Sequence, residues 1–298
     1  MVASPQEVEW LIVGAKGQLA QSMRNALVQS KVSLVTRTRL QLDITDSDQL
    51  RDLLQEVLPR VIFNGAAWTD VEAAETAEDE AALVNAQGAA YLARLCAQIK
   101  ATLVHISTDF VFSGVSDEMW EESAILSPVS AYGRSKAAGE KAVLETPSLD
   151  SYIVRTAWLY GSHGKNFART ILRKALTESG EINVVNDQFG QPTFSDDLAE
   201  QIFRMVDRKV PSGIYHGTNS GQATWYEFAR EIFRLSGQDE RRVKPINSKS
   251  YPSNVMRPAY SVLGHAKWNT VGMTPMRDWK LALREAMPAL LLQLKVEE

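Results

Sequence analysis

Residues 8–20 read VEWLIVGAKGQLA and run on as QSMRNALVQS to residue 30. The run Val8–Val13 is apolar with little polar alternation, the pattern of a strand buried on both faces. Gly14 and Gly17 punctuate a turn, and residues 20–30 follow as a helix. A strand, a glycine turn and a helix in this order open a βαβ unit. Glycines here permit a tight turn and let the backbone approach a pyrophosphate at the helix N-terminus. The spacing is Gly14-x-x-Gly17-x-x-Ala20, not the usual G-x-G-x-x-G. Glycines also end strands for purely structural reasons, so the turn alone leaves both readings open.

The pattern repeats outward. KVSLVT (31–36), RVIFNGAA (60–67) and ATLVHIST (101–108) read as strands. SDQLRDLLQEVL (47–58) and one long stretch from Glu78 to Ile99 read as helices, the latter with acids at its start where the dipole favours them. Alternating strands and helices predict a Rossmann-like α/β fold, a doubly wound parallel sheet with helices on both faces. Downstream, SYIVRTAWLYG (151–161), EINVVND (181–187) and GIYHGTN (213–219) read as strands. Helices are expected over 166–180, 193–208, 224–237 and 276–294, the second of these opening on a cap, with an irregular stretch at 251–268. The expected division is a dinucleotide-binding domain over 1–155, completed by about 192–222. A smaller interwoven lobe for substrate takes 156–191 and 223–298.

Composition narrows the class. The 298 residues are 45% hydrophobic and 23% charged, as in ordinary globular proteins. Lys+Arg 32 against Asp+Glu 36 leaves a net charge of −4, without the basic excess of a nucleic-acid binder. The single Cys96 excludes an intramolecular disulfide and sits in a helical pattern as a small buried hydrophobe. Four histidines, none at metal-ligand spacing, suggest no zinc site. The opening MVASPQEVEW lacks the features of a signal peptide, and no stretch has 18 apolar residues, so a cytoplasmic protein away from membranes is expected.

Three further signals carry chemistry. Tyr132-Gly-Arg-Ser-Lys136 places Tyr and Lys one helical turn apart on one face. A neighbouring ammonium favours a phenolate, and such a pair can deliver a proton to a carbonyl oxygen. The spacing by itself is common, and a surface helix with an amphipathic tyrosine is the plainer alternative. Thr108 ends a strand where α/β sheets bind ligands; it reads equally as a hydroxyl capping its own turn. After the second strand come Arg37 and Arg39, where an acid would mark NAD. An arginine fork suits a 2′-phosphate, although both could be solvated surface residues. The missing acid leans toward NADPH, with NADH as the other candidate.

Several blocks taken together resemble a known family. LDITD (42–46), NGAAWTDVEAAE (64–75), STDFVFSG (107–114), SPVSAYGRSKAAGE (127–140), RTAWLYG (155–161), NDQFGQPT (186–193) and RPAYSVL (257–263) look like the dTDP-4-dehydrorhamnose reductases, extended short-chain dehydrogenase/reductases. The resemblance runs from Trp10 to about Trp279. It implies reduction of the C-4 keto group of dTDP-6-deoxy-L-lyxo-4-hexulose to dTDP-L-rhamnose by NADPH. It places Gly14, Gly17, Gln18 and Leu19 at the pyrophosphate, and Asp43 and Ile44 beside the adenine. Ala66, Ala67 and Trp68 fall along the nicotinamide-side ribose. Tyr132, Lys136 and Thr108 match the catalytic set, with Lys136 also on that ribose. Thr69, Thr108, Asp109 and Trp158 match the sugar-binding side, and Arg257 faces the nucleotide diphosphate as a bidentate partner.

There are departures. Ala20 replaces a glycine, which should tighten helix–strand packing. Trp68 stands where Tyr or His is more usual, and Glu72 where Asp is. Magnesium accompanies some family members, but Ser22 occupies the early-helix position that would carry an acid, so no protein ligand set is expected. The expected partner is a dTDP-sugar, and a homodimer stays open. A dehydratase of this scaffold would carry an acid after Thr-Asp, where this chain has Phe110. A reductase of another nucleotide-linked 4-keto sugar and a non-catalytic nucleotide-binding subunit of the same fold are the remaining alternatives.

Overall fold

The computed structural model describes residues 8–250 and 255–296. Positions 1–7, on which the absence of a signal peptide was read, and 251–254 of the irregular stretch lie outside the described residues.

Six strands form one sheet: β1 (Trp10–Val13), β2 (Leu34–Arg37), β3 (Val61–Asn64), β4 (Thr102–Thr108), β5 (Ser151–Thr156) and β6 (Gly213–His216). Their order is β6-β5-β4-β3-β1-β2 and every pairing is parallel. The main helices are α1 (Gln18–Gln29), α2 (Ser47–Val57), α3 (Ala89–Ile99), α4 (Ala131–Leu144), α5 (Phe167–Thr177), α6 (Ser195–Asp207), α7 (Trp225–Leu235) and α8 (Trp279–Val296). Among the described residues no helix is long and apolar enough to cross a membrane.

Side chains alternate along each strand, and here both faces are apolar. Trp10 and Ile12 pack with Met23, Leu27, Leu198 and Ile202 of α1 and α6. Leu11 and Val13 pack with Leu50, Leu54, Leu92 and Cys96 of α2 and α3. The third core lies away from the sheet and joins α5, α7 and α8 through Leu172, Phe228, Phe233 and Leu290. The parallel pair Ile182–Val185 and Val243–Ile246 borders it. The C-terminal part is not wholly in this lobe. Trp268, Met273 and Met276 bury among the sheet's own residues, beside Tyr152 and Tyr215.

Local ends follow the side chains available. Asp46 caps α2, accepting from the amides of Asp48 and Gln49. Thr224 and Glu227 form a reciprocal capping box on α7. At α6 the expected side-chain cap is missing. Phe194 takes the cap position, and the Ser195 hydroxyl instead accepts from Ser22 of α1 at 2.9 Å.

The stretch 78–99 is not one α-helix. It runs Glu78–Ala82, a π-helical turn Leu83–Gly88, and then α3. Gly88 lies so close to Ile44 that a Cβ would sit 2.8 Å from its side chain. The wider turn fits that approach and brings Asn85 under the sheet's carboxyl edge.

From β1 the chain goes out to β2, then crosses back to β3 on the other side. The carboxyl ends of β1 and β3 are therefore a topological switch point, where open α/β sheets form a ligand crevice.

Candidate active site

At that switch point Gly14 has φ +76°, and a Cβ would lie 2.6 Å from the Ala66 nitrogen. Only glycine lets the first turn approach the strip after β3 this closely. Gly17 begins α1 with no side-chain cap, so the helix offers its first-turn amides to an anion. Ala20 is buried, and its methyl lies 3.4 Å from where a Gly65 Cβ would be, filling the helix–strand gap.

Two adjoining clefts open here, of about 580 and 270 Å³. Gly17, Ala66, Ala67 and Thr69 line both. Gly14, Asp43, Ile44 and Trp68 line the smaller. Gln18, Leu19, Thr108, Asp109, Tyr132, Lys136, Trp158 and Arg257 line the larger. Arg37 lines neither. It ends β2 with its guanidinium turned back to donate to the Thr36 carbonyl at 3.1 Å. The chain then turns at Thr38, whose amide donates to Gln41, and that turn carries Arg39 to the rim of the smaller cleft.

Helix α4, which carries Tyr132 and Lys136, is capped by Ser130, whose hydroxyl accepts from the Gly133 amide at 3.1 Å. Gly133 packs directly on the Phe110 carbonyl, which draws α4 against the end of β4. Tyr132 meets Phe110 edge to face at 5.6 Å. Lys136 is almost wholly buried and donates to the Ile106 carbonyl at 2.6 Å. Thr108 donates to Asp109 Oδ1 at 3.0 Å and also accepts from the Phe110 amide, so it caps its own turn while lining the cleft.

Burial dominates the ionisations. It pushes the Tyr132 phenol up to about 12, against the opposing pull of a hydrogen bond with Thr108. It brings Lys136 down to about 8, with the nearby Glu140 carboxylate acting in the opposite direction. The expectation that Lys136 depresses Tyr132 is therefore not met in this structure. The ammonium is turned to a main-chain carbonyl, and desolvation of the phenolate outweighs the rest. Asp109 rises to about 6 through burial, partly offset by hydrogen bonds from Ser261 and Thr108.

Two buried polar atoms bordering the larger cleft have no hydrogen-bond partner: Asp109 Oδ2 and Thr156 Oγ1. Buried polar groups are nearly always paired, and both belong to residues that line this cleft. Thr156 was missed in the sequence, although it ends β5 in register with Thr108 at the end of β4. Asn85 was also missed. Its side chain accepts from the Trp68 amide at 2.9 Å and donates to the Trp68 carbonyl at 3.1 Å, fixing the strip between the clefts. No sequence spacing linked it to that strip. Trp225 lines the larger cleft and stacks on Trp158 with centroids 3.6 Å apart. Arg257 pairs with Glu72 at 3.0 Å across the rim.

The comparisons fit this geometry. Residues 8–291 match the family model described as the RmlD substrate binding domain. The chain is 47% identical over 282 residues to dTDP-4-keto-6-deoxy-D-glucose reductase of Streptomyces niveus, covering 94% of this chain and 97% of that one. It is 41% identical over 285 residues to dTDP-4-dehydrorhamnose reductase of Streptomyces griseus, covering 94% and 93%. The crystal structure of dTDP-4-dehydrorhamnose reductase from Bacillus anthracis in complex with NADP superposes with a TM-score of 0.90 at 35% identity, covering 95% of this chain and 99% of that one. A match that spans both lobes, at these identities and around this cleft, assigns the chain to the dTDP-4-dehydrorhamnose reductase family.

Proposed function

We propose that the protein reduces the C-4 keto group of dTDP-6-deoxy-L-lyxo-4-hexulose to dTDP-L-rhamnose with NADPH. The observation that carries this is the meeting of Thr108, Tyr132 and Lys136 on the wall of one cleft whose floor is the glycine turn. The residues suit a dinucleotide: the close Gly14–Ala66 approach and the uncapped start of α1 leave room and amides for a pyrophosphate.

Bound NADPH supplies a hydride to C-4. The chain's residues supply the rest. Tyr132 keeps its phenolic proton at neutral pH because burial disfavours the phenolate. It is thus poised as the acid that protonates the C-4 oxygen. Thr108 stands beside it to hydrogen-bond the same oxygen. Lys136 stands one helical turn on, as a cation for the ribose and for the phenolate left after transfer. Asp109 and Thr156 add polar side chains to the same cleft wall. Magnesium has no part in this reading. Ser22 is bonded to Ser195, and the described residues hold no cluster of three or more His, Cys, Asp or Glu suited to a metal. Charged nucleotides do not cross bilayers, so the reading places the enzyme in the cytoplasm.

A second reading, another dTDP-4-keto-6-deoxyhexose as substrate, is favoured by the name of the 47% identical relative. The experiment is a spectrophotometric screen of NADPH and NADH oxidation with several dTDP-4-keto sugars, run on the wild type and on Tyr132→Phe. The wild type is expected to turn over, and the variant to lose kcat by at least about 10²-fold with unchanged NADPH affinity. Wild-type protein that binds nucleotide without turnover would overturn the proposal in favour of a binding subunit.

A further inference from the structure

We propose that Trp225 is a specificity-determining residue for the sugar. Stacked on Trp158, it completes a rigid two-indole wall that receives the apolar face and the C-6 methyl of a 6-deoxyhexose. The inference rests on the function proposed above.

Lys16, Gln18, Thr108, Asp109, Lys136, Thr156 and Ser261 give the larger cleft a polar side. A 6-deoxy sugar presents C–H groups and a methyl that need an apolar counterpart, and an aromatic face supplies one. Trp158 is well placed for this. It follows β5 by two residues, and Thr156 at the end of β5 is in register with the catalytic Thr108.

Trp158 cannot hold that position unaided. Its φ is +45°, a left-handed conformation that a bulky residue keeps only when its surroundings enforce it. Three contacts do so. Its carbonyl accepts from the Thr193 amide at 3.1 Å. Gly190 lies against its indole so closely that a Cβ would fall 2.5 Å from the ring. Trp225 covers one ring face, with the two planes only 10° apart. Trp225 is itself fixed. It is the first residue of α7, held between Thr224 and Glu227 of the capping box, and Phe167 backs it at 4.6 Å. The orientation of the sugar wall is thus set from the smaller lobe.

The test compares Trp225→Ala, Trp225→Phe and Gly190→Ala with the wild type. It measures KM and kcat for the 4-keto sugar nucleotide, inhibition constants for dTDP and for dTDP-L-rhamnose, NADPH affinity, and near-ultraviolet circular dichroism. Trp225→Ala is expected to raise KM and the dTDP-L-rhamnose inhibition constant about tenfold or more, the equivalent of about 1.4 kcal/mol. It should leave dTDP inhibition and NADPH affinity unchanged, keep kcat at saturation, and lose the signal of the coupled indoles. Trp225→Phe should restore KM. Gly190→Ala, whose added methyl displaces the Trp158 ring, should reproduce the raised KM. The inference is overturned if Trp225→Ala leaves KM in place, or if dTDP and NADPH weaken in parallel with the sugar. A wild type that reduces no 4-keto sugar would instead overturn the proposed function, and this inference with it.

Discussion

At the end of β4, Asp109 holds a buried carboxyl with one oxygen on Thr108 and the other unpartnered. Its pKa of about 6 lies above the ordinary 3.8, so the folded chain favours the protonated form. That contribution is complete below about pH 4 and is lost progressively as pH rises to about 6, because the unfolded carboxyl ionises first. Asp109→Asn removes the titration. It is expected to match the wild type at pH 4 and to exceed it by about 3 kcal/mol at pH 7, measured by urea unfolding at both values. A constant difference across that range would refute the burial argument. The second residue-scale prediction concerns the cofactor. Arg39, not Arg37, borders the smaller cleft. A charge-assisted bond to a 2′-phosphate contributes about 1.5–3 kcal/mol. Arg39→Ala should therefore lower kcat/KM with NADPH about ten- to a hundredfold and barely alter NADH, while Arg37→Ala does little with either. Equal losses for both cofactors after Arg39→Ala would place that residue elsewhere. The Tyr132–Lys136 pair was legible in the sequence because helical geometry makes it local. The exchange of Arg37 for Arg39 was not, because it depends on where one turn points.

Among the elements, the π-helical turn Leu83–Gly88 has the clearest task. It places Asn85 so that its side chain binds both the amide and the carbonyl of Trp68 and donates to Ser135 Oγ at 2.9 Å. Ser135 in turn donates to the Tyr132 carbonyl at 2.8 Å. One buried side chain thus joins the Trp68 strip to helix α4. Asn85→Ala would strand at least two polar groups, each costing about 1–3 kcal/mol when left unpaired. Stability should fall by at least about 2 kcal/mol, and NADPH should bind more weakly because the strip borders both clefts. Urea unfolding and a fluorescence titration with NADPH check the two effects. Unchanged NADPH affinity in the folded variant would reduce Asn85 to a purely structural residue. Apolar spacing over 78–99 correctly marked a helix and its buried face. It carries no information on one extra residue in a turn, which is set here by the close passage of Ile44.

Across the whole molecule, a buried ion pair ties the catalytic elements together. Arg155 of β5 and Glu140 of α4 meet at 2.7 Å, each at most 1% exposed. Ser107 of β4 donates to Glu140 at 2.5 Å, and Arg155 also donates to the Glu122 carbonyl at 3.1 Å. The Phe112 ring lies 5.0 Å from the guanidinium. Two strands, the catalytic helix and the segment between them are joined at one point. Arg155→Leu would leave Glu140 buried and unpaired, at an expected cost of about 3–5 kcal/mol. The double variant Arg155→Leu/Glu140→Leu should recover most of that loss in chemical denaturation. If the double variant is no more stable than the single one, the loss comes from packing and not from the stranded charge.

The sequence by itself determined the parallel sheet and the shared helix face of Tyr132 and Lys136. These follow from unbroken apolar strand runs and helical patterning, from glycines after a strand, and from spacing within one turn, all short-range properties of a chain. The family blocks extended the reading to the substrate side. Only the tertiary structure decided which arginine borders the smaller cleft, that Thr156 lines the larger one, that Asn85 holds Trp68, and that Trp158 rests on Trp225. It also decided that burial raises the pKa of the Tyr132 phenol. Each of these depends on atoms brought together from distant parts of the chain, and desolvation exists only once the fold has excluded water.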